Sequence, residues 1–180
     1  MLKYLLLTLL LIIPVADTKD SGNEVDEFEL AEKFRKELNV EWLHLTIDNS
    51  NNIVVTGFFS DTLKAGRYKL TSDGGLDIFI AKYSPAHELM WIKHAGGANV
   101  DFSKFINTDA NDNIYIQGMF RGDARFGQFE FESRSYEYFT AKFDNEGELI
   151  WVKTRKTMMQ TERAKKSKRI SDYTYTELPK

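Results

Sequence analysis

The chain has 180 residues, 42% of them hydrophobic and 13% aromatic, which is enough apolar material for a packed core and excludes a disordered chain. A net charge of −3 points to no partner class by itself, and three Pro with eleven Gly exclude collagen-like and Pro-rich sequences. With no Cys, there is no disulfide framework, thiolate metal site or cysteine nucleophile, so packing alone must hold the fold.

The opening run MLKYLLLTLLLIIPVADTKD has a basic Lys3, an unbroken apolar stretch from Leu5 to Ile13, a break at Pro14 and a small residue, Ala16. The stretch is shorter than the about 20 residues of a membrane span. It reads as a secretory signal peptide over residues 1–16, and the protein as exported: periplasmic, cell-surface or secreted. Retention of the segment as an uncleaved anchor stays open.

Residues 17–41 form a linker that contains a short amphipathic helix. Ser21 or Asn23 can cap it, and Val25, Phe28, Ala31, Phe34 and Leu38 recur at helical spacing. Acidic residues fill its first half and Lys33, Arg35 and Lys36 its second, as the helix macrodipole favours. Its apolar stripe is expected to pack on neighbouring sheets.

From Leu45 the period changes to two, and the chain repeats itself after about 60 residues. LTIDNSNNIVVTGFFSD falls on INTDANDNIYIQGMFRG, with Asp48 on Asp109, Asn52 on Asn113, Gly57 on Gly118 and Phe59 on Phe120. FIAKYSPAHELMWIK then falls on FTAKFDNEGELIWVK, with Phe79 on Phe139 and Trp91 on Trp151. Strands are expected at Ile53–Phe59, Arg67–Leu70, Asp77–Tyr83 and Leu89–Lys93. In the second copy they are expected at Ile114–Phe120, Gln128–Glu132, Tyr138–Phe143 and Leu149–Lys153. Turn residues between them make each copy an antiparallel meander.

In IVVTGFF, Ile53, Val55 and Phe59 point to one face and Val54, Thr56 and Phe58 to the other. Both faces are largely apolar and need covering, which stacked sheets provide. The mid-strand Gly57 and Gly118 suggest a bulge or a close backbone approach.

These residues carry a family resemblance. The run D-x-x-x-N-[IV]-x-[VI]-x-G-x-F, the run G-G-x-D-x-F-[IV]-A-K-[YF] and a closing G-x-L-x-W together look like the bacterial SBBP β-propeller repeat. The first copy carries them at residues 48–59, 74–83 and 89–91, the second at Asp109–Phe120, Phe139–Phe143 and Gly147–Trp151. Gly96, Gly97 and Asp101 also match. The chain departs from the pattern at Ser84-Pro85-Ala86-His87, at Arg134-Ser135-Tyr136-Glu137, and after Lys153, where no third repeat follows. The resemblance implies an all-β fold of two four-stranded propeller-like blades, over residues 42–93 and 94–153. It also implies a bacterial exported binding or scaffold module without catalytic residues.

Candidate chemistry is sparse. His44, His87 and His94 make no metal-ligand spacing and are expected to be structural or solvated. There is no G-x-S-x-G elbow and no phosphate-binding G-K-[ST] loop, and Gly74-Gly75 and Gly96-Gly97 read as turn glycines. Asp48, Ser50 and Asn52, and likewise Asp109, Asn111 and Asn113, alternate oxygen atoms as a calcium loop does. The same residues suit a hairpin that bonds its own backbone, which is the favoured reading. Trp91 and Trp151 are expected between blades rather than as a carbohydrate platform, and Trp42 does not share their repeat position.

The tail at 154–180 is basic. The run 153–169 can meet an anionic surface, but it has no interleaved aromatics and no nucleic acid is expected.

No cofactor and no metal are assigned, and the partner is expected to be a protein or glycan. Two copies are few for a propeller. Each unit covers one face of the other, so the helix, self-association or a longer parent chain must cover the rest. The alternatives to a non-enzymatic module are a propeller-type lyase or hydrolase and a non-functional fragment.

Overall fold

The computed structural model describes residues 26–155; the expected signal segment, the caps Ser21 and Asn23, Val25 and most of the basic tail lie outside the described residues. Helix α1 (Glu27–Leu38) comes first. It is followed by β1 (Leu43–Ile47), β2 (Ile53–Phe59), β3 (Thr62–Ala65), β4 (Tyr68–Thr71), β5 (Asp77–Tyr83) and β6 (Leu89–Gly97). The second copy supplies β7 (Phe102–Thr108), β8 (Ile114–Phe126), β9 (Phe129–Phe143) and β10 (Leu149–Thr154). Among the described residues no helix is long and apolar enough to cross a membrane.

The helix begins one turn later than the sequence suggests. Asp26 is the N-cap, its carboxylate accepting from the Phe28 and Glu29 amides, and Asn39 closes the helix in the left-handed conformation. The buried stripe is Leu30, Phe34 and Leu38, spaced by four, while Phe28 is exposed. Phe34 and Leu38 of the expected stripe are buried, whereas Leu30 takes the place of Phe28 and Ala31 only packs against the margin.

Each copy folds as a four-stranded antiparallel meander. The first runs β1-β2-β5-β6 and the second β7-β8-β9-β10, with corresponding registers: Ile53 opposite Tyr83 in one, Ile114 opposite Phe143 in the other. β2 and β5 keep the bounds expected from sequence. β1, β3 and β7 had not been expected as strands. β6 runs through to Gly97, across the boundary expected at residue 93. There Ala95, Gly96 and Gly97 pair with Phe126, Arg125 and Ala124, which stitches the two units into one hydrogen-bonded sheet.

The units differ where Gly-Gly is replaced. In the first, β3 and β4 form a separate hairpin, and Ser72 to Leu76 break the chain before β5. In the second, Arg134-Ser135-Tyr136-Glu137 offers no break, so β8 and β9 continue as one long hairpin.

The mid-strand glycines are sites of close approach. A Cβ on Gly57 would lie 2.3 Å from the Trp42 carbonyl oxygen and 2.7 Å from the Phe79 ring. Gly118 has the same constraint from the Phe102 carbonyl at 2.1 Å and Phe139 at 2.8 Å. Phe79 and Phe139 are the cross-strand partners of these glycines, so each ring covers the strand where its neighbour has no side chain.

Two cores result. Leu30, Phe34 and Leu38 of α1 pack on Ile53, Val55, Phe59 and Phe79 of the first unit, with Phe34 and Tyr83 ring centroids 4.3 Å apart. The opposite face of that unit, with Val54, Ile78 and Ile80, packs on Ile114, Ile116, Phe120, Phe126 and Phe139 of the second. Ile53, Val55 and Phe59 correspond by repeat to Ile114, Ile116 and Phe120. The helix thus occupies the place on the first unit that the first unit occupies on the second. Replacing Phe34 by Ala is expected to lower unfolding free energy in urea by about 3–5 kcal/mol, and the same change at exposed Phe28 by less than about 0.5 kcal/mol.

Candidate functional site

One broad sheet face stays uncovered among the described residues: the outer face of the second unit. Tyr115, Gln117 and Met119 of β8 and Tyr138, Thr140 and Lys142 of β9 lie on it, opposite in direction to the buried Ile114, Ile116, Phe139 and Ala141. Their repeat counterparts Val54, Thr56, Phe58, Ile78, Ile80 and Lys82 are mostly buried against the second unit. Where the first unit has Val54, Ile78 and Ile80, this face carries Tyr115, Tyr138 and Thr140, while Lys142 matches Lys82.

Cations stand over its rings. Lys153 Nζ lies 4.4 Å from the Trp151 ring centroid, Lys142 Nζ 5.1 Å from Tyr115, and the Arg121 guanidinium 5.9 Å from Tyr136. Phe105 is 63% exposed and Tyr138 51%. A groove of about 450 Å³ between them is lined by Lys104, Phe105, Gln117, Tyr138, Thr140 and Arg155.

The two tryptophans fare differently. Trp91 sits between the units, where its Nε1–H donates to the Asn145 carbonyl at 3.3 Å and its ring lies against Gly147. Trp151, its repeat counterpart, stands on the open face beside Tyr115, ring centroids 6.1 Å apart. Trp42 is exposed just before β1.

Asp48 and Asp109 each close a turn. Asp48 Oδ1 accepts from the Ser50 and Asn52 amides at 2.9 and 2.8 Å, and Asp109 Oδ1 from those of Asn111 and Asn113 at 2.9 and 3.0 Å. The two turns also meet: the Asn49 amide donates to Asp112 Oδ1 at 2.9 Å and the Asn49 carboxamide to the Asp109 carbonyl at 3.1 Å. Amide donors therefore engage the Asp48 and Asp109 carboxylates that head both calcium-like runs.

A lysine completes each carboxylate. Lys82, 1% exposed, lies 2.7 Å from Asp48 Oδ2 and also donates to the Asn145 carboxamide of the second unit. Burial raises the Asp48 carboxyl, but hydrogen bonds from Lys82 and Asn52 outweigh it and hold the group below its usual value. Lys142 repeats the arrangement loosely, 3.7 Å from Asp109. Asn113, then the Asn111 amide and the Tyr115 hydroxyl, lower Asp109 from 3.8 to about 2 against a smaller opposing effect of desolvation.

The histidines are dispersed. His44 is exposed near Phe105, and His87 takes a left-handed φ of 63° beside Lys33. His87 holds the position of Gly147, and the Ser84 hydroxyl caps the turn as the Asp144 carboxylate does in the second unit, so this departure from the repeat keeps its geometry. His94 Nε2 is 2.6 Å from Asp77 Oδ2. Beside it, Asp101 is fully buried, and burial pushes its carboxyl up to about 6, with Asp77 adding to the rise and the Arg121 and Gly97 amides opposing it. Gly74-Gly75 lie in the bend before β5, whereas Gly96-Gly97 belong to β6, and both let backbones cross: a Cβ on Gly74 would lie 2.3 Å from the Ala98 backbone, and one on Gly97 1.8 Å from the Asp123 carbonyl.

Sequence reasoning missed the open face and the grouping of Asp73, Asp77 and His94. The first has a signal, the loss of Val54, Ile78 and Ile80 in the second copy; the second depends on strand register.

No protein-family model matches the chain. Among curated proteins it is similar to an uncharacterized WD repeat-containing protein of Acanthamoeba polyphaga mimivirus, 28% identical over 130 residues that cover 60% of this chain and 9% of that protein. The chain thus spans less than a tenth of that relative's length. Taken with the doubled meander, the similarity supports a repeat protein of propeller-like β-sheet character.

Replacing Lys82 by Met leaves the Asp48 charge buried and unpaired, and is expected to cost about 3–5 kcal/mol in urea unfolding. The same change at Lys142 should cost less than about 1 kcal/mol. Because the Asp109 carboxyl is lower in the fold than its ordinary 3.8, its stabilisation is complete above that value and is lost as pH falls toward about 2. The stability gap between the parent and Asp109→Asn, measured by urea titration at several pH values, should narrow over that window.

Proposed function

We propose that the chain is a non-enzymatic binding module of β-propeller-repeat type that docks an acidic protein partner on the outer face of the second unit. The observation that carries this is the contrast between repeat counterparts: Val54, Ile78 and Ile80 are sealed in an inter-unit core, whereas Tyr115, Tyr138 and Thr140 face outward. Tyr, Trp and Met are enriched in protein interfaces, where an apolar body and a polar edge serve both bound and free states. The WD-repeat similarity favours the same class of role.

Charge selects the partner. Lys104, Arg121, Lys153 and Arg155 stand on or around the face, with Lys142 beside Asp109, so a second copy applied face to face would oppose like charges. Head-to-tail stacking of copies meets α1, which already covers the other end of the pair. An acidic surface on a different protein satisfies both conditions. The finer assignments rest on sequence: SBBP-type repeats on the paired motifs, and export on the apolar run before Pro14. The curated relative is viral, so bacterial origin draws no support from it.

The test is light scattering on the size-exclusion eluate of the full chain, followed by titration with polyglutamate and fluorescence readout from Trp151, with Trp151→Phe as control. A monomer that binds polyglutamate more weakly as salt rises, and at least tenfold more weakly after Lys142→Glu and Lys153→Glu, is the expected result. A discrete oligomer dissociated by Tyr138→Glu, or binding indifferent to salt and to these changes, overturns the reading.

A further inference from the structure

The fold treats the two oxygens of the fully buried Asp77 carboxylate unequally. Oδ2 accepts from the Asp73 amide at 2.7 Å and lies 2.6 Å from His94 Nε2. Among the described residues, Oδ1 is buried without a hydrogen-bond partner. Leaving a buried acceptor unsatisfied costs about 1–3 kcal/mol, more for a charged group, and such an atom calls for a water or an ion.

The surroundings suit an ion. Asp73, Asp77 and His94 each offer a ligand atom, and these atoms all lie within 4.8 Å of one another. The Asp101 carboxylate borders the same gap over Gly96, where a Cβ would fall 2.7 Å from Asp77 Cγ and 3.1 Å from Asp101 Oδ2. Glycine keeps that gap open. Arg125 reaches Asp73 at 3.2 Å, at the exposed rim of the cluster, with both side chains partly in solvent. An exposed pair of this kind gives way at little cost.

We propose that Asp73, Asp77 and His94 bind a divalent transition-metal ion of the zinc class. An imidazole nitrogen with two carboxylates selects such ions over calcium and magnesium, which take oxygen ligands. The ion supplies the partner that Asp77 Oδ1 lacks, and water completes its coordination through the partly exposed side of Asp73 and His94. On binding, His94 Nε2 exchanges its contact with Asp77 Oδ2 for the ion; a neutral ring keeps its one proton on Nδ1, and a charged ring releases the other to solvent. The ion ties the segment before β5 to β6, next to the pairing of β6 with β8, and so clamps the joint between the repeat units.

The full chain, stripped with EDTA, would be titrated with zinc by calorimetry and with cobalt by visible absorption, which reports coordination directly. One ion per chain and a raised thermal midpoint are expected. Asp73→Asn, an exposed change that spares the core, and His94→Gln should each weaken binding at least about tenfold, whereas His44→Gln and His87→Gln should bind as the parent does. If His94→Gln does not fold, Asp73→Asn decides alone. No zinc uptake by the parent, or parent affinity in Asp73→Asn, overturns the proposal, and neither result bears on polyglutamate binding to the outer face of the second unit.

Discussion

A sheet that is apolar on both faces must be covered twice, and the rest of this molecule follows from that requirement. The first repeat unit presents Ile53, Val55 and Phe59 on one side and Val54, Ile78 and Ile80 on the other, and all six are buried. The second unit covers one side and helix α1 the other. Burial of this kind contributes roughly 25 cal/mol per Å² of apolar surface, which is how a chain without disulfides holds two meanders together. The helix closes the array at one end by standing in for a preceding unit. On the outer face of the second unit Tyr115, Tyr138 and Thr140 stand where the first unit has Val54, Ile78 and Ile80, so that face is less apolar than its counterpart.

Within that frame the Lys82–Asp48 pair fixes alignment more than it adds stability. Removing two charges from water roughly cancels their attraction, so the net gain is small. Lys82 nevertheless reaches Asn145 in the second unit while bonded to the turn of the first, and Asn49 reaches Asp112 on the neighbouring turn. Apolar contacts tolerate sliding; these polar ones hold only at one offset between the units.

Legibility in the sequence tracked how local the controlling physics is. β2 and β5 were bounded correctly because continuous apolar runs with turn residues at both ends leave little choice. The mid-strand glycines foretold close backbone approach, which Gly57 and Gly118 display. β1 and β7 were missed because LHLTI and FSKFINT mix polar and apolar residues on strands whose place is set by their partners β2 and β8. The helix was found, but its stripe was placed through Phe28 rather than Leu30, since periodicity alone does not choose between adjacent stripes. For the open face the repeat alignment held the information, position by position. The Asp73, Asp77 and His94 group was illegible, because only the pairing of Phe79 with His94 in the β5–β6 ladder carries the imidazole to the aspartates.

The hydrogen bonds between the end of β6 and the far end of the β8–β9 hairpin have a mechanical consequence. Units joined only by side-chain packing can rock about their interface, whereas a shared ladder removes that hinge, and the crossing of Gly97 over Asp123 leaves no slack in the backbone to restore it. The tyrosines and lysines of the outer face are therefore borne on a platform whose orientation relative to the helix-covered end is set before anything approaches. A ligand arriving there meets a preorganised surface, and little of its binding free energy is spent on ordering the protein.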